Sequence, residues 1–298
     1  MIVGLLAVAV PASAINPFAP RVGSTERAPK KITRRQTLDV TPYRGLGTWV
    51  DMYDADVWKT PEEAVLEMQA RGVRTLYLQT ANWHKPKASP MFKPSKVGRF
   101  IDAAHAAGIT VVGWYVPGFR NLDKDRKRTK YALEFQSATG QTFDSFAMDI
   151  ESTAVRNIDK RNEQTAALSR WIRRKVGPGY ALGGIVPDVQ SLYWPNFPYY
   201  KVGKFYDVVM PMAYYSYRVS GKSAVYNYVS ENVDQIRSRT ADPSIRIHPI
   251  GGIGGETTRR EARGYVNAVV DAGVMGGSYY DFPITAEREW EELYRLRS

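Results

Sequence analysis

The sequence contains no cysteine among its 298 residues and only three histidines. No disulfide bond can therefore stabilise the fold, although this absence neither supports nor excludes export from the cell. The histidines, His84, His105 and His248, are isolated from one another, and none forms a pair at the spacing of metal ligands. We therefore predict no metal site.

Several catalytic and binding motifs are also missing. The sequence has no G-x-S-x-G nucleophile elbow and no phosphate-binding P-loop, and no segment resembles a recognition helix, a zinc finger or an RNA-binding sheet. We therefore predict no cofactor and no nucleic-acid partner, despite a formal net charge of +11. That charge is compatible with electrostatic association with an anionic cell-wall polymer.

The first 42 residues are predicted to lie outside the folded domain. Residues 1–14 form an apolar run that ends in Ala-Ser-Ala, which is typical of a secretory signal peptide with its cleavage site. The run is too short to span a bilayer as a helix, so no integral membrane segment is expected in the mature chain. Residues 15–42 are basic and proline-rich and are predicted to be a linker. We expect a secreted or cell-wall-associated protein.

After this linker, strand-like apolar segments alternate with helical segments. The strand-like segments are 44–54, 74–83, 109–119, 143–152, 181–190, 206–217, 245–255 and 276–282. The helical segments are 60–72, 96–108, 161–177, 223–239, 257–273 and 287–298. This alternation predicts an α/β fold with a parallel sheet, and eight units fit a single-domain (β/α)8 TIM barrel over residues 43–298. A doubly wound sheet is the alternative, but the segment "RGLGTW" does not open a helix as its first turn would.

The stretch "FDSFAMDIES" (143–152) places two carboxylates at the end of an apolar run. Because side chains alternate between the two faces of a strand, Asp149 and Glu151 lie on the same face. The small Ser145 and Ala147 precede them on that face, and the opposite face is apolar throughout. This pattern fits a strand that packs inside a barrel and opens into a catalytic mouth, where the active sites of such barrels lie.

The other predicted strand ends supply polar and aromatic side chains, which suit a sugar because rings stack on pyranose faces and polar groups bind hydroxyls. The predicted substrate-binding residues are Trp49, Asp51, Gln79, Asn82, Trp83, Tyr115, Asp188, Trp194, Met212, Tyr215, Tyr280 and Asp281. Tyr214, at the end of the sixth strand, is predicted to be catalytic together with Asp149 and Glu151. Any one of these acids equally fits a helix cap or a partner for an arginine.

The fourth and sixth predicted strands resemble those of glycoside hydrolase family 18, the chitinase family. The family's strand-four signature is D-G-x-D-x-D-x-E, and "DSFAMDIE" matches it at Asp144, Asp149 and Glu151. The strand-six signature is M-x-Y-D, and "MAYY" matches it at Met212 and Tyr214. The resemblance implies a barrel with Glu151 as general acid and Asp149 beside it, where the family's aspartate supports the substrate's N-acetyl group as nucleophile.

The sequence departs from the family at several positions. Ser145, Ala147 and Tyr215 stand where the family has glycine, aspartate and aspartate, and the segment "GGSYYDF" lacks the family's strand-eight tryptophan. The chain is thus similar to a divergent member, like the glycosidase-like barrels of bacterial secreted proteins.

We therefore predict a secreted glycoside hydrolase that acts on a poly- or oligosaccharide such as a cell-wall glycan. Glu151 is expected to protonate the glycosidic oxygen with Asp149 as its partner, because two nearby carboxyls disfavour double ionisation and one keeps its proton. In a second mechanism, Asp281 or Glu256 acts as a nucleophile opposite Glu151. The alternative function is a non-catalytic carbohydrate-binding barrel.

Glu256 has a second interpretation. The segment "ETTRRE" (256–261) also reads as a helix start capped by Thr257 or Thr258, and we favour this capping role.

Overall fold

The computed structural model describes residues 38–85, 90–190 and 193–298. The predicted signal peptide, and the predicted linker before residue 38, lie outside the described residues. The last linker residues belong to the fold, because Val40 is buried in the same apolar cluster as the barrel interior.

The strands run parallel and close into a barrel, which confirms the predicted (β/α)8 fold. Their bounds are β1 Gly45–Val50, β2 Thr75–Asn82, β3 Thr110–Val116, β4 Ser145–Asp149, β5 Leu182–Pro187, β6 Val208–Met212, β7 Arg246–Ile247, β8 Ile250–Ile253 and β9 Gly276–Tyr280. β6 pairs with β5 on one side and with β7 and β8 on the other, and β9 pairs with β8 and β1. The barrel therefore has eight positions, and β7 and β8 share the seventh.

The seventh predicted strand is thus two short segments rather than one. They are separated by His248 and Pro249. Proline has no N–H to donate to a neighbouring strand, which favours an interruption of the ladder at this point.

Eight α-helices lie between and after these strands within the described part of the chain. Their bounds are α1 Pro61–Ala70, α2 Pro94–Ala106, α3 Leu122–Leu133, α4 Ile158–Val176, α5 Tyr199–Phe205, α6 Lys222–Thr240, α7 Arg259–Asp271 and α8 Glu287–Leu293. The sequence pattern does not predict α3 and α5, because one is highly charged and the other follows an aromatic loop. No described helix combines the length and the apolar composition needed to cross a membrane.

The helix ends follow local chemistry at several predicted positions. α7 begins with a capping box, in which the Thr258 side chain accepts from the Glu261 N–H and the Glu261 carboxylate accepts from the Thr258 N–H. After α1 and α2, the chain turns at Gly72 and Gly108 with φ of +77° and +72°, a conformation that glycine adopts without strain. Thr60 precedes α1 but makes no capping hydrogen bond.

The strands are buried on both faces, as expected of a parallel sheet covered by helices. Phe146 and Met148 of β4 pack in the outer layer between strands and helices, whereas Ala147 lies in the barrel interior. Asp149 follows Ala147 on the inward face. The alternation in β4 therefore directs its terminal carboxylate into the barrel.

Aromatic and polar side chains fill the end of the barrel where the strands begin. The Tyr43 hydroxyl hydrogen-bonds the Ser145 hydroxyl at 2.7 Å and donates to the Phe146 carbonyl at 3.0 Å. The buried His248 ring bonds the Tyr43 carbonyl at 2.9 Å and the Ser278 hydroxyl at 3.1 Å. These contacts close this end and leave the carboxyl ends of the strands as the site of the mouth.

Candidate active site

Asp149 and Glu151, here called the strand-four pair, stand at the carboxyl end of β4. Asp149 is 6% exposed, and its Oδ1 atom has no hydrogen-bond partner among the described residues. Burial raises the pKa of Asp149, and the neighbouring Glu151 carboxylate raises it further. Glu151 is exposed as a whole residue at the rim, but partial burial of its carboxyl group raises its pKa. Both groups therefore hold their protons to higher pH than ordinary carboxyls.

Glu151 of the strand-four pair borders a cleft of about 260 Å³, here called the mouth cleft. Its lining residues are Glu151, Pro187, Asp188, Tyr193, Met212, Tyr214, Tyr217 and Arg218. Burial raises the pKa of Tyr214, and the charges of Asp149 and Glu151 raise it further. The Tyr214 hydroxyl thus stays protonated and can donate a hydrogen bond to a ligand in the cleft.

Besides Glu151, the lining of the mouth cleft includes a carboxylate, a guanidinium and two exposed tyrosines. Asp188 follows β5, and Arg218 lies 3.6 Å from its carboxylate. Tyr193 and Tyr217 are 45% and 69% exposed. Such rings can stack on sugar faces, because one face of a pyranose is apolar. Of these four residues, sequence reasoning identifies only Asp188. Tyr193 and Arg218 lie in loops beyond the predicted strand ends, and Tyr217 is the last residue of the sixth predicted strand but is not among the predicted site residues.

A second group of acids lies beside Tyr280 and is here called the acid trio: Asp51, Asp54 and Asp281. Candidate ligand oxygens of the three carboxyls lie within 4.8 Å of one another. The Tyr280 hydroxyl donates to Asp51, and the Tyr280 and Tyr214 rings are 6.2 Å apart. The acid trio and the strand-four pair therefore belong to the same mouth. Asp54 is not predicted from the sequence, although it follows Asp51 closely.

Burial raises the pKa values of two members of the acid trio. The pKa of Asp54 rises to about 7, with the charge of Asp51 as the second cause. The pKa of Asp281 rises to about 8, with the charges of Asp54 and Asp51 contributing after burial. The spacing of the three carboxyls would also allow a cation to bind, a site that the histidine pattern does not predict.

Three further predicted residues lie at the carboxyl end of β2. Gln79 is buried and accepts from the Met52 N–H at 2.9 Å, so it positions the loop after β1. Asn82 is also buried. Trp83 is half-buried, and the Arg120 guanidinium lies 5.8 Å from its ring centroid. Trp83 packs against the inner cluster of the barrel and forms part of the rim.

Four predicted substrate-binding residues lie away from the mouth. Trp49 is 1% exposed inside the barrel, where it stacks on Tyr77 at 4.2 Å. Tyr115 faces the helices, and its hydroxyl donates to Asp125 of α3 at 2.5 Å. The neighbouring Trp114, which the sequence analysis does not select, faces the interior instead.

The other two of these residues lie in loops after the strands. Trp194 is buried, and its indole N–H donates to Asn162 of α4 at 2.8 Å. Tyr215 is buried in the outer layer, where its hydroxyl bonds that of Tyr279. These aromatics stabilise the packing of loops and helices against the barrel.

Two other residues from the sequence analysis also lie away from the mouth. Asp144 matches the first acid of the family signature, but it precedes β4 and pairs with His105 of α2 at 2.9 Å. Asp144 therefore belongs to the opposite end of the barrel. Glu256 is exposed beside the capped start of α7, which agrees with the favoured capping interpretation of its segment.

Comparisons with known proteins give structural neighbours only. Neither the protein-family models nor the curated proteins that were compared match this sequence. Among solved structures, an endo-β-1,4-mannanase from Thermotoga petrophila aligns with a TM-score of 0.65 at 9% identity, covering 86% of this chain and 76% of the mannanase. The spore cortex-lytic enzyme of Bacillus cereus aligns with a TM-score of 0.61 at 11% identity, covering 84% and 73%.

A chitinase from Chromobacterium violaceum has a structural similarity to this chain close to that of the other two enzymes. It aligns with a TM-score of 0.60 at 13% identity, covering 84% of this chain and 98% of the chitinase. At such identities the likeness shows a shared fold, and the chemistry must be argued from the site itself.

Proposed function

We propose that this chain is a secreted glycoside hydrolase with Glu151 as its general acid. One observation carries the proposal: Asp149 and Glu151 stand together at the carboxyl end of β4, and both carboxyls have raised pKa values. A carboxyl that keeps its proton can donate it to a leaving oxygen, as glycoside cleavage requires. The barrels of the mannanase, the cortex-lytic enzyme and the chitinase support the same class.

Each mouth residue has a distinct role in this proposal. Glu151 transfers its proton to the glycosidic oxygen while the bond from that oxygen to the anomeric carbon breaks. A water molecule then bonds to the anomeric carbon through its oxygen and returns a proton to Glu151. Asp149 positions Glu151 and stabilises the positive charge that develops at the sugar. Tyr214 donates a hydrogen bond to the substrate. The exposed rings of Tyr193 and Tyr217 stack on neighbouring sugar units.

A non-catalytic carbohydrate-binding barrel is the second candidate, and Ala147 favours it. Ala147 is fully buried inside the barrel, at the position where the chitinase family has an acid. Asp149 therefore has no carboxyl partner below it on β4. In this second candidate the mouth cleft holds a sugar without cleaving it.

The substrate we propose is a cell-wall glycan, reached after export. The apolar run at residues 1–14 supports export, and the net charge of +11 supports association with an anionic wall polymer. N-terminal sequencing of secreted protein should show loss of residues 1–14. Binding to such a polymer should weaken as the salt concentration rises.

The test of the catalytic proposal is cleavage of a panel of wall glycans by the full chain and by Glu151→Gln. We expect the substitution to lower turnover by about 10²–10⁴-fold, because positioned acid catalysis contributes that much, and to leave binding largely unchanged. Glu163→Gln is the matched control, since Glu163 is exposed on α4. Equal cleavage by wild type and Glu151→Gln rules out this acid. Binding without any cleavage by the wild type favours the second candidate.

A further inference from the structure

The acid trio has no cationic partner in the part of the chain that the structure describes. Asp51 and Asp281 are 8% and 4% exposed, and no ion pair joins Asp51, Asp54 or Asp281 to a described lysine, arginine or histidine. The chain nevertheless contains 41 lysines and arginines against 30 acids. Buried carboxylates are normally paired, so this arrangement leaves a cation to be supplied from outside.

The hydrogen bonds within the acid trio also leave an acceptor unused. Asp51 accepts from the Tyr53 N–H at 2.6 Å and from the Tyr280 hydroxyl, and Asp54 accepts from the Asp51 N–H at 2.8 Å. The Asp281 carboxyl shares a hydrogen bond with the Asp54 carboxyl, and its buried Oδ1 atom accepts no hydrogen bond from an N–H or hydroxyl group of a described residue. An unsatisfied buried acceptor of this kind indicates a donor that binds there.

A second unsatisfied acceptor lies across the mouth. The Oδ1 atom of Asp149 is also buried without a partner among the described residues. The charges of Asp149 and Asp281 both act on the Tyr214 hydroxyl, so the two acidic groups lie within electrostatic range of the same side chain. Each of the two acidic groups therefore has a buried carboxyl oxygen without a donor, which a donor on a bound ligand would satisfy.

A protonated amine fits the acid trio better than a metal ion does. An ammonium group has three N–H donors, which matches three carboxyl acceptors. Calcium requires six to eight oxygen ligands. Two nearby backbone oxygens are already engaged, since the Asp51 carbonyl accepts from the Trp58 indole at 2.5 Å and the Asp281 carbonyl accepts from the Thr285 hydroxyl at 2.6 Å.

The raised pKa values of Asp54 and Asp281 agree with the binding of a protonated amine. With pKa values of about 7 and about 8, Asp54 and Asp281 hold protons near neutral pH when no cation is present. An incoming ammonium group takes the place of those protons as the positive partner of the carboxylates.

We propose that the acid trio binds the protonated amino group of an amino sugar, so that the glycan recognised by the mouth carries free hexosamine units. This inference rests on the proposed carbohydrate function and names its substrate class. The overall positive charge of the chain opposes unspecific binding of a cationic sugar. If the protein nevertheless binds an aminated sugar more tightly than a neutral one, the difference in affinity reports binding at the acid trio.

The test is isothermal titration of the full chain carrying Glu151→Gln, which separates binding from turnover. The probes are a tetrasaccharide of glucosamine, its N-acetylated counterpart and a neutral glucose tetrasaccharide. We expect the glucosamine probe to bind at least about tenfold more tightly than the other two, which is typical for hydrogen bonds to a charged group. Adding Asp281→Asn or Asp54→Asn should each remove this preference. Asp56→Asn is the matched control, because Asp56 is exposed in the same loop and pairs with Lys59.

Three outcomes would overturn the inference. Equal affinity for aminated and acetylated probes is one, and a preference that survives both Asp281→Asn and Asp54→Asn is another. The third is thermal stabilisation of the wild type by calcium or magnesium chloride alone that Asp281→Asn removes, because it identifies a metal site. If no glycan is cleaved but the preference is present and is lost in the variants, this inference stands and the catalytic proposal fails.

Discussion

At the scale of single residues, the charge of Glu151 acts on the proton of Asp149, and this interaction is mutual. Asp149→Asn removes the second titrating carboxyl of the pair, so the last proton is no longer shared between two sites and Glu151 should lose its proton at lower pH. A general acid works only while protonated. We therefore expect lower turnover and an alkaline limb of the kcat/KM profile that shifts to lower pH. Rates measured from about pH 4 to about pH 9 would check this, and an alkaline limb that keeps its position would contradict the coupling.

Tyr214 is predicted to contribute less than Glu151, because it supplies one hydrogen bond and no charge. Burial keeps its pKa high, so the hydroxyl remains a donor. Tyr214→Phe should lower kcat/KM by about tenfold or less, which corresponds to a hydrogen bond of about 0.5–1.5 kcal/mol. Tyr131→Phe on α3 is the control, since Tyr131 is exposed and outside the mouth cleft. A loss as large as that of Glu151→Gln would show that Tyr214 takes part in the proton transfer.

At the scale of elements, the two threonines that precede α1 and α7 should differ in their contribution to stability. The Thr258 side chain caps α7, whereas Thr60 makes no capping bond to α1. Thr258→Ala should lower the free energy of unfolding by about 1 kcal/mol. Thr60→Ala should change it by less than about 0.5 kcal/mol. Urea unfolding of both variants measures the difference, and equal losses would show that the capping box of α7 adds no stability.

At the scale of the whole molecule, the buried His248 links stability to pH. Burial lowers its pKa from 6.5 to about 4. Between those values the unfolded chain binds a proton that the folded protein does not, so stability is lost as pH falls from about 6.5 to about 4. The loss from this group is about 3 kcal/mol at most.

The measurement compares urea unfolding of the wild type and His248→Gln at several pH values. The variant should lose less stability than the wild type over that pH range. The raised pKa values of Asp54 and Asp281 act in the opposite direction in both proteins, because they favour the folded state at low pH. Parallel curves for the two proteins would exclude His248 as the source of the pH dependence.

Two physical causes account for the predicted site residues that lie away from the mouth. Strand parity correctly directs Asp149 inward, because β4 is regular up to that residue. In β3 the same parity directs Tyr115 outward, because Trp114 and Val116 are the residues of this strand that belong to the inner cluster. Trp194 and Tyr215 follow their strands in loops, where the period of two no longer applies. Their orientation depends on the helices that they pack against.

Periodicity and composition are sufficient to predict the barrel, the order of its units and the acids that end β4, because these features depend on local alternation along the chain. Closure of the barrel decides the rest. Asp51 and Tyr280 are 229 residues apart and become hydrogen-bonded only because β9 pairs with β1. The acid trio and the mouth cleft arise from that closure, and so do the raised pKa values of the carboxyls at the mouth. Burial and the distance between remote residues are properties of the folded chain alone.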